Sequence, residues 1–157
     1  MTKLFDLYNK IRDMKPSPEF NILVYQILFR NRIIKIKSSS HVYAVEDIEI
    51  EPIINLVKDF CFNTENARLL VNQLPKEASF HYSWMKFLDV TTHSCIIDDT
   101  VSVKNGKIGD VIYIDIHEQE EAFVLSKAIL LWKLRDMINK KEIYNIEDYF
   151  VEQTQNA

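Results

Sequence analysis

The sequence predicts an α+β fold: a single layered domain, with a mostly antiparallel sheet covered by N-terminal helices and a long C-terminal helix. Three patterns lead there. Residues 118–141 form a long helical run that is apolar on two sides. "SFHYSWMKFLDV" and "VIYIDIH" alternate with the period of half-buried strands. Leu4, Leu7, Ile11 and Met14 recur at 3,4,3 spacing near the start. At 157 residues, 47% apolar and 27% charged, the chain is long enough for one core.

Taken in order, residues 3–14 read as a helix. "KPSPEF" ends it and opens another, with Ser17 as N-cap, Pro18 at the first helical position and Glu19 at the positive end of the dipole. "PEFNILVYQILF" reads as the second helix, although residues 21–29 also suit a strand. "EPIINLVKDFCF" fits a short helix begun by Pro52, facing Ile53, Ile54, Val57 and Phe60 inward, or the continuation of a strand. "NTENARLLVNQLP" is a helix capped by Asn63 or Thr64, striped by Ala67, Leu70, Val71 and Leu74 and stopped by Pro75.

Strands follow. "SFHYSWMKFLDV" sets Phe80, Tyr82, Trp84 and Lys86 on one side, His81 and Met85 on the other, and both Trp84 and Trp132 read as core. "HSCIID" is a short strand, and Asn105-Gly106 favours a tight hairpin. "VIYIDIH" turns Ile112, Ile114 and Ile116 inward and Tyr113, Asp115 and His117 outward. In the last helix, Val124, Leu125, Ala128, Leu131, Trp132 and Ile138 form one arc, and Phe123, Leu130, Leu134 and Met137 a second. Such a helix is sandwiched, with its second arc against the stripe of the first helix. One domain over 1–150 and a frayed polar tail over 151–157 complete the reading.

The stretch "RNRIIKIKSSSH" concentrates Arg30, Arg32, Lys35 and Lys37 in a chain of net charge −4. "DIEIE" repeats the alternation with opposite sign, so two antiparallel strands would set the lysines against Asp47, Glu49 and Glu51. The net charge and a pI near 5.6 argue against a nucleic-acid partner. No apolar run is long enough to span a bilayer, and two cysteines suit a reducing compartment, so a cytoplasmic protein is expected. With glycine only at positions 106 and 109, neither a P-loop nor a dinucleotide fingerprint can be written.

The order of "IRDMKPSPEF", "FNTENARLLVNQLP", "HYSW" and "EAFVLSKAILLWKLRDMI" resembles small phage and prophage accessory proteins grouped as phage ABA-sandwich domains. The extended segment at 32–51 departs from the short linker of that pattern, and its Gly-Trp is missing. The resemblance implies a phage-encoded accessory protein with a layered α/β fold, in a host cytoplasm. It implies no chemistry.

Two groupings carry candidate chemistry. Asp115 and His117, two apart on one strand face, could orient each other as an acid/base pair, with His81 and His93 completing a catalytic set. His93, Cys95 and His117 supply zinc-type donors, although no helical His pair or C-x-x-C is present. Ordinary solvated strand faces account for both groupings more simply. The sequence therefore favours a non-enzymatic protein without cofactor that binds a host or phage protein, with inhibition of a host defence or metabolic enzyme as the natural version. The alternative is a small hydrolase or nucleotide-processing enzyme built on the Asp/His group.

Overall fold

The computed structural model describes residues 2–36, 42–46, 53–99, 103–104, 107–108 and 111–153. Helix α1 (Thr2–Arg12) leads into α2 (Pro18–Leu23), where Ser17 caps by accepting from the Phe20 amide at 3.3 Å. The ambiguous residues 21–29 are helical: α2 widens into a π-helical turn over Val24–Leu28, all five side chains buried. Strands β1 (Arg32–Ile36), β2 (Val42–Glu46) and β3 (Ile53–Leu56) follow, then α3 (Thr64–Leu69) with a 3-10 turn at Leu70–Gln73. Strands β4 (Ser79–Phe87) and β5 (Val90–Asp99) make a hairpin. The two-residue strands β6 (Val103–Lys104) and β7 (Lys107–Ile108) pair across Asn105-Gly106, the expected turn, itself outside the described residues. Strand β8 (Ile112–Glu118), α4 (Glu121–Asn139), a 3-10 turn at Ile146–Tyr149 and β9 (Phe150–Gln153) close the chain.

The fold is α+β. One antiparallel sheet has the order β4-β5-β8. The other runs β3-β2-β1-β9, antiparallel except where β9 joins β1. Helix α4 contacts β5 and β8 on one side and α1, α3 and the π-helical turn on the other. Its two arcs are both buried, and Phe123, Leu130, Leu134 and Met137 are wholly so. Phe123 meets Phe20 edge to face, with ring centroids 4.8 Å apart. The second arc is therefore packed internally, in the same core as Leu4 and Ile11 of α1.

Two expectations are corrected, and one open choice is decided. The basic strand does not lie beside "DIEIE", because β2 and β9 occupy both edges of β1, and Lys35 is paired with Val42 on one side and Glu152 on the other. The "DIEIE" segment and Lys37 lie outside the described residues, and Arg30 meets Glu142 instead. Residues 53–56 take the strand alternative, all four exposed, so the helix that would face Ile53 and Ile54 inward is the alternative that falls. The chain beyond Phe150 is not a frayed tail through Gln153. It adds a parallel strand to β1, and the segment before it is anchored where Gln26 Nε2 donates to the Tyr149 carbonyl and Tyr144 Oη to the Gln26 carbonyl. The signal was weak because a four-residue strand among polar residues has no legible period.

The loop before α3 is held by side chains. The Lys58 amide donates to Tyr25 Oη, the Phe60 amide to Asn21 Oδ1 at 2.8 Å, and Ser126 Oγ to the Phe60 carbonyl at 2.9 Å. These bonds satisfy main-chain groups that burial would otherwise leave unpaired. Leu130→Ala should cost about 2–5 kcal/mol of folding stability, read by denaturant unfolding, because it opens a cavity in the middle of this core. An unchanged unfolding midpoint would contradict the internal packing.

Candidate functional site

The β4-β5-β8 sheet carries every candidate residue, and its register decides which of them can meet. Tyr82, Cys95 and Ile116 are cross-strand partners, as are Phe80, Ile97 and Ile114, and these rows face α4 and the core. The intervening rows, His81 with Ile96 and Asp115, and Ser83 with Ser94 and His117, lie on the opposite face.

Alternation splits the zinc-type set. Cys95 is fully buried on the inner face, with His93 two residues before it. His93 stacks on Tyr82 at 5.9 Å between centroids, and its Nδ1 lies 2.5 Å from Tyr82 Oη. His117 belongs to the other face. Burial also pushes the Cys95 thiol up to about 12, against the thiolate that a metal needs. Among the described residues no group of three or more His, Cys, Asp or Glu side chains is placed to hold a metal ion.

The acid/base set fares differently. His117 Nε2 lies 3.4 Å from Asp115 Oδ1, and His117 Nδ1 lies 2.6 Å from Ser94 Oγ. The structure thus strings Asp115, His117 and Ser94 along one line, with Ser94 a member that the sequence reading missed. Its signal was the register, since Ser94 pairs directly with His117. His93 is on the far side of the sheet. His81 is two strands from Asp115, roughly 10 Å at normal strand spacing. A cleft of about 480 Å³ reaches His117 beside Lys15, Phe62, Thr92 and Glu120, but neither Asp115 nor His81 lines it.

Ser94 sits mid-strand in β5, which has neighbours at both edges, so its amide belongs to the ladder. A serine nucleophile needs free N–H donors aimed at the developing oxyanion, and this backbone is committed elsewhere. The His117 side chain is also 60% exposed, so water competes for both of its ring nitrogens. The line orders polar side chains on a solvated sheet face.

The second feature is apolar, and the sequence reading missed it by running one strand through to Val90. The chain turns at Leu88-Asp89, between the paired Phe87 and Val90. Trp84, Met85, Phe87, Leu88 and Val90 are all exposed around this tip. Trp84, expected in the core, is 63% exposed, whereas Trp132 is buried and donates from Nε1 to Asp99 Oδ2 at 3.2 Å. Leu88 holds φ at 57°, the left-handed region, where a branched side chain is strained by about 1–3 kcal/mol. No glycine marks this turn, so only the Asp89 turn-former hinted at it.

No family model, curated protein or solved structure matches this chain.

Both thiols should be silent in the folded protein. Burial raises Cys61 to about 11 and Cys95 to about 12 from an ordinary value of 9.0. A raised folded value means that the neutral thiols contribute stability fully below pH ~9, and that this contribution is lost as pH climbs toward 11–12. A disulfide-exchange reagent at pH 8 should label neither cysteine until denaturant is added. Rapid native labelling of Cys95 would contradict its placement.

Proposed function

We propose that the protein is a non-enzymatic accessory protein of phage type that works by occupying a surface of another protein, host or phage. Inhibition of a host defence or metabolic enzyme is the form this reading takes. The observation that carries it is the β4–β5 tip. Met85, Phe87 and Val90 are exposed on one face of the hairpin, Trp84 on the other, and Leu88 at the turn between them, and apolar surface gathered at one tip in this way marks interaction sites. The tip also carries the strained Leu88, 79% exposed, where glycine would remove both the strain and the exposed side chain. Tips of this composition insert well into an apolar pocket, since aromatic and aliphatic anchors dominate interface energetics. The phage character rests on the order of the sequence segments alone.

The Asp115–His117–Ser94 line favours one rival, a small hydrolase. A fluorophosphonate probe separates the two, since labelling of wild type that is lost in Ser94→Ala supports the rival.

Leu88→Gly tests the leading reading in two opposed directions. Stability should rise by about 1 kcal/mol as the turn relaxes, while affinity for the captured partner falls by roughly 30-fold, or about 2 kcal/mol. The measurements are thermal unfolding and titration against the partner identified by wild-type capture. Unchanged affinity would remove the tip from the interface.

A further inference from the structure

The other unclaimed feature of this hairpin is its edge. Strand β4 ends the β4-β5-β8 sheet, and no described strand pairs with its outer side. It is nine residues long, and from Ser83 to Phe87 every residue is exposed. A long edge with apolar side chains is a template for another strand.

The two-residue turn fixes which main-chain groups are open. In such a hairpin the closing pair, here Phe87 and Val90, exchanges hydrogen bonds. By alternation Phe87, Met85, Ser83, His81 and Ser79 direct their N–H and C=O toward β5. Phe80, Tyr82, Trp84 and Lys86 direct theirs outward.

We infer that this edge pairs with the same edge of a second copy of the chain, antiparallel about a two-fold axis at Ser83. Phe80 of each copy then faces Lys86 of the other, and Tyr82 faces Trp84, so all four outward residues exchange hydrogen bonds. Shifting the axis to Trp84 or Tyr82 leaves an outward residue without a strand partner. The Ser83 register also opposes no like charges, because Lys86, the one Lys, Arg, Asp or Glu in the strand, meets a phenylalanine. His81 meets Met85, and Ser83 meets its own copy with no bulk between them.

The area suits a dimer of moderate stability. Trp84 and Phe87 expose most of the ~150–250 Å² that an aromatic carries, and Met85 adds to them. Two copies with their main-chain edges come within reach of the ~1,000 Å² where specific interfaces begin. The inference shares Trp84, Met85 and Phe87 with the partner reading, and the joined edge leaves only the Leu88-Asp89 turns to a partner. The turns at Leu88-Asp89 fall at opposite ends of the joined sheet, and both stay open.

The test uses the full chain. Ser83→Cys should form a disulfide-linked dimer under mild oxidation, because opposed residues at a non-hydrogen-bonded site approach to about 4.5 Å between Cα atoms. Met85→Cys, which faces His81 of the other copy, should not, and the buried Cys61 and Cys95 give little background. Wild type should sediment as a concentration-dependent dimer. Lys86→Pro should sediment as a monomer with wild-type melting, since it deletes an outward N–H and spares the ladder to β5. Monomeric wild type, equal cross-linking at positions 83 and 85, or a dimeric Lys86→Pro would each overturn the inference.

Discussion

The Lys127 ammonium, 2% exposed in the middle of α4, donates to Glu118 Oε1 at 2.7 Å and to the Met14 carbonyl at 2.9 Å. It also lies 5.1 Å from the centre of the Phe123 ring. One charge thus joins three parts of the chain: the end of β8, the core helix, and the connection between α1 and α2. A lysine buried this deeply is tolerated only with its charge paired and hydrogen bonds made. The position of α4 between sheet and helices, on which both apolar arcs depend, is therefore tied to a polar contact with little freedom to shift. The sheet that carries the candidate surfaces packs on the helix so fixed.

Scarcity of glycine shapes the remainder. Arg30, Leu88 and Lys141 all adopt left-handed φ, where glycine is usual. Two of them end helices. After Arg30 the Asn31 amide reaches back to the Tyr25 carbonyl, and after Lys141 the Glu142 amide reaches back to the Met137 carbonyl. The two ends are then joined by the Arg30–Glu142 ion pair, with the Arg30 guanidinium 5.7 Å from the centre of the Tyr144 ring. Strain at Arg30 and Lys141 is compensated by capping bonds and a charge contact. Leu88 is closed by the Phe87–Val90 pair but sits at an exposed tip with no charge contact among the described residues joining it to the rest of the fold, and that difference is the reason to read the tip as functional.

Much of the fold was legible because its signals are local and periodic. The Ser17-Pro18-Glu19 start, the Asn63 cap, the inward isoleucines of β8 and the two-sided α4 each follow from residues within a few turns of one another. Sheet partners were not legible. The charges in "IIKIK" and "DIEIE" suggested a pairing, but β1 took β2 and the distant β9, and short strands carry too few residues to specify a neighbour. The site was half legible. Alternation correctly put Asp115 and His117 on one face, yet His93 and Cys95 fell on the other, which a two-residue spacing within each strand cannot reveal. The exposed Trp84 misled most, because composition marks tryptophan as core and only the position of the turn shows otherwise.

The central claim is that the Lys127 contact couples β8 to the helical layer. A double-mutant cycle with Lys127→Met, Glu118→Gln and both together, followed by denaturant unfolding, measures that coupling directly. The account predicts an interaction energy of about 1–3 kcal/mol, with the double variant more stable than the sum of the single losses implies. Losses that add within about 0.5 kcal/mol would mean the two groups act independently, and the contact would not be what positions α4.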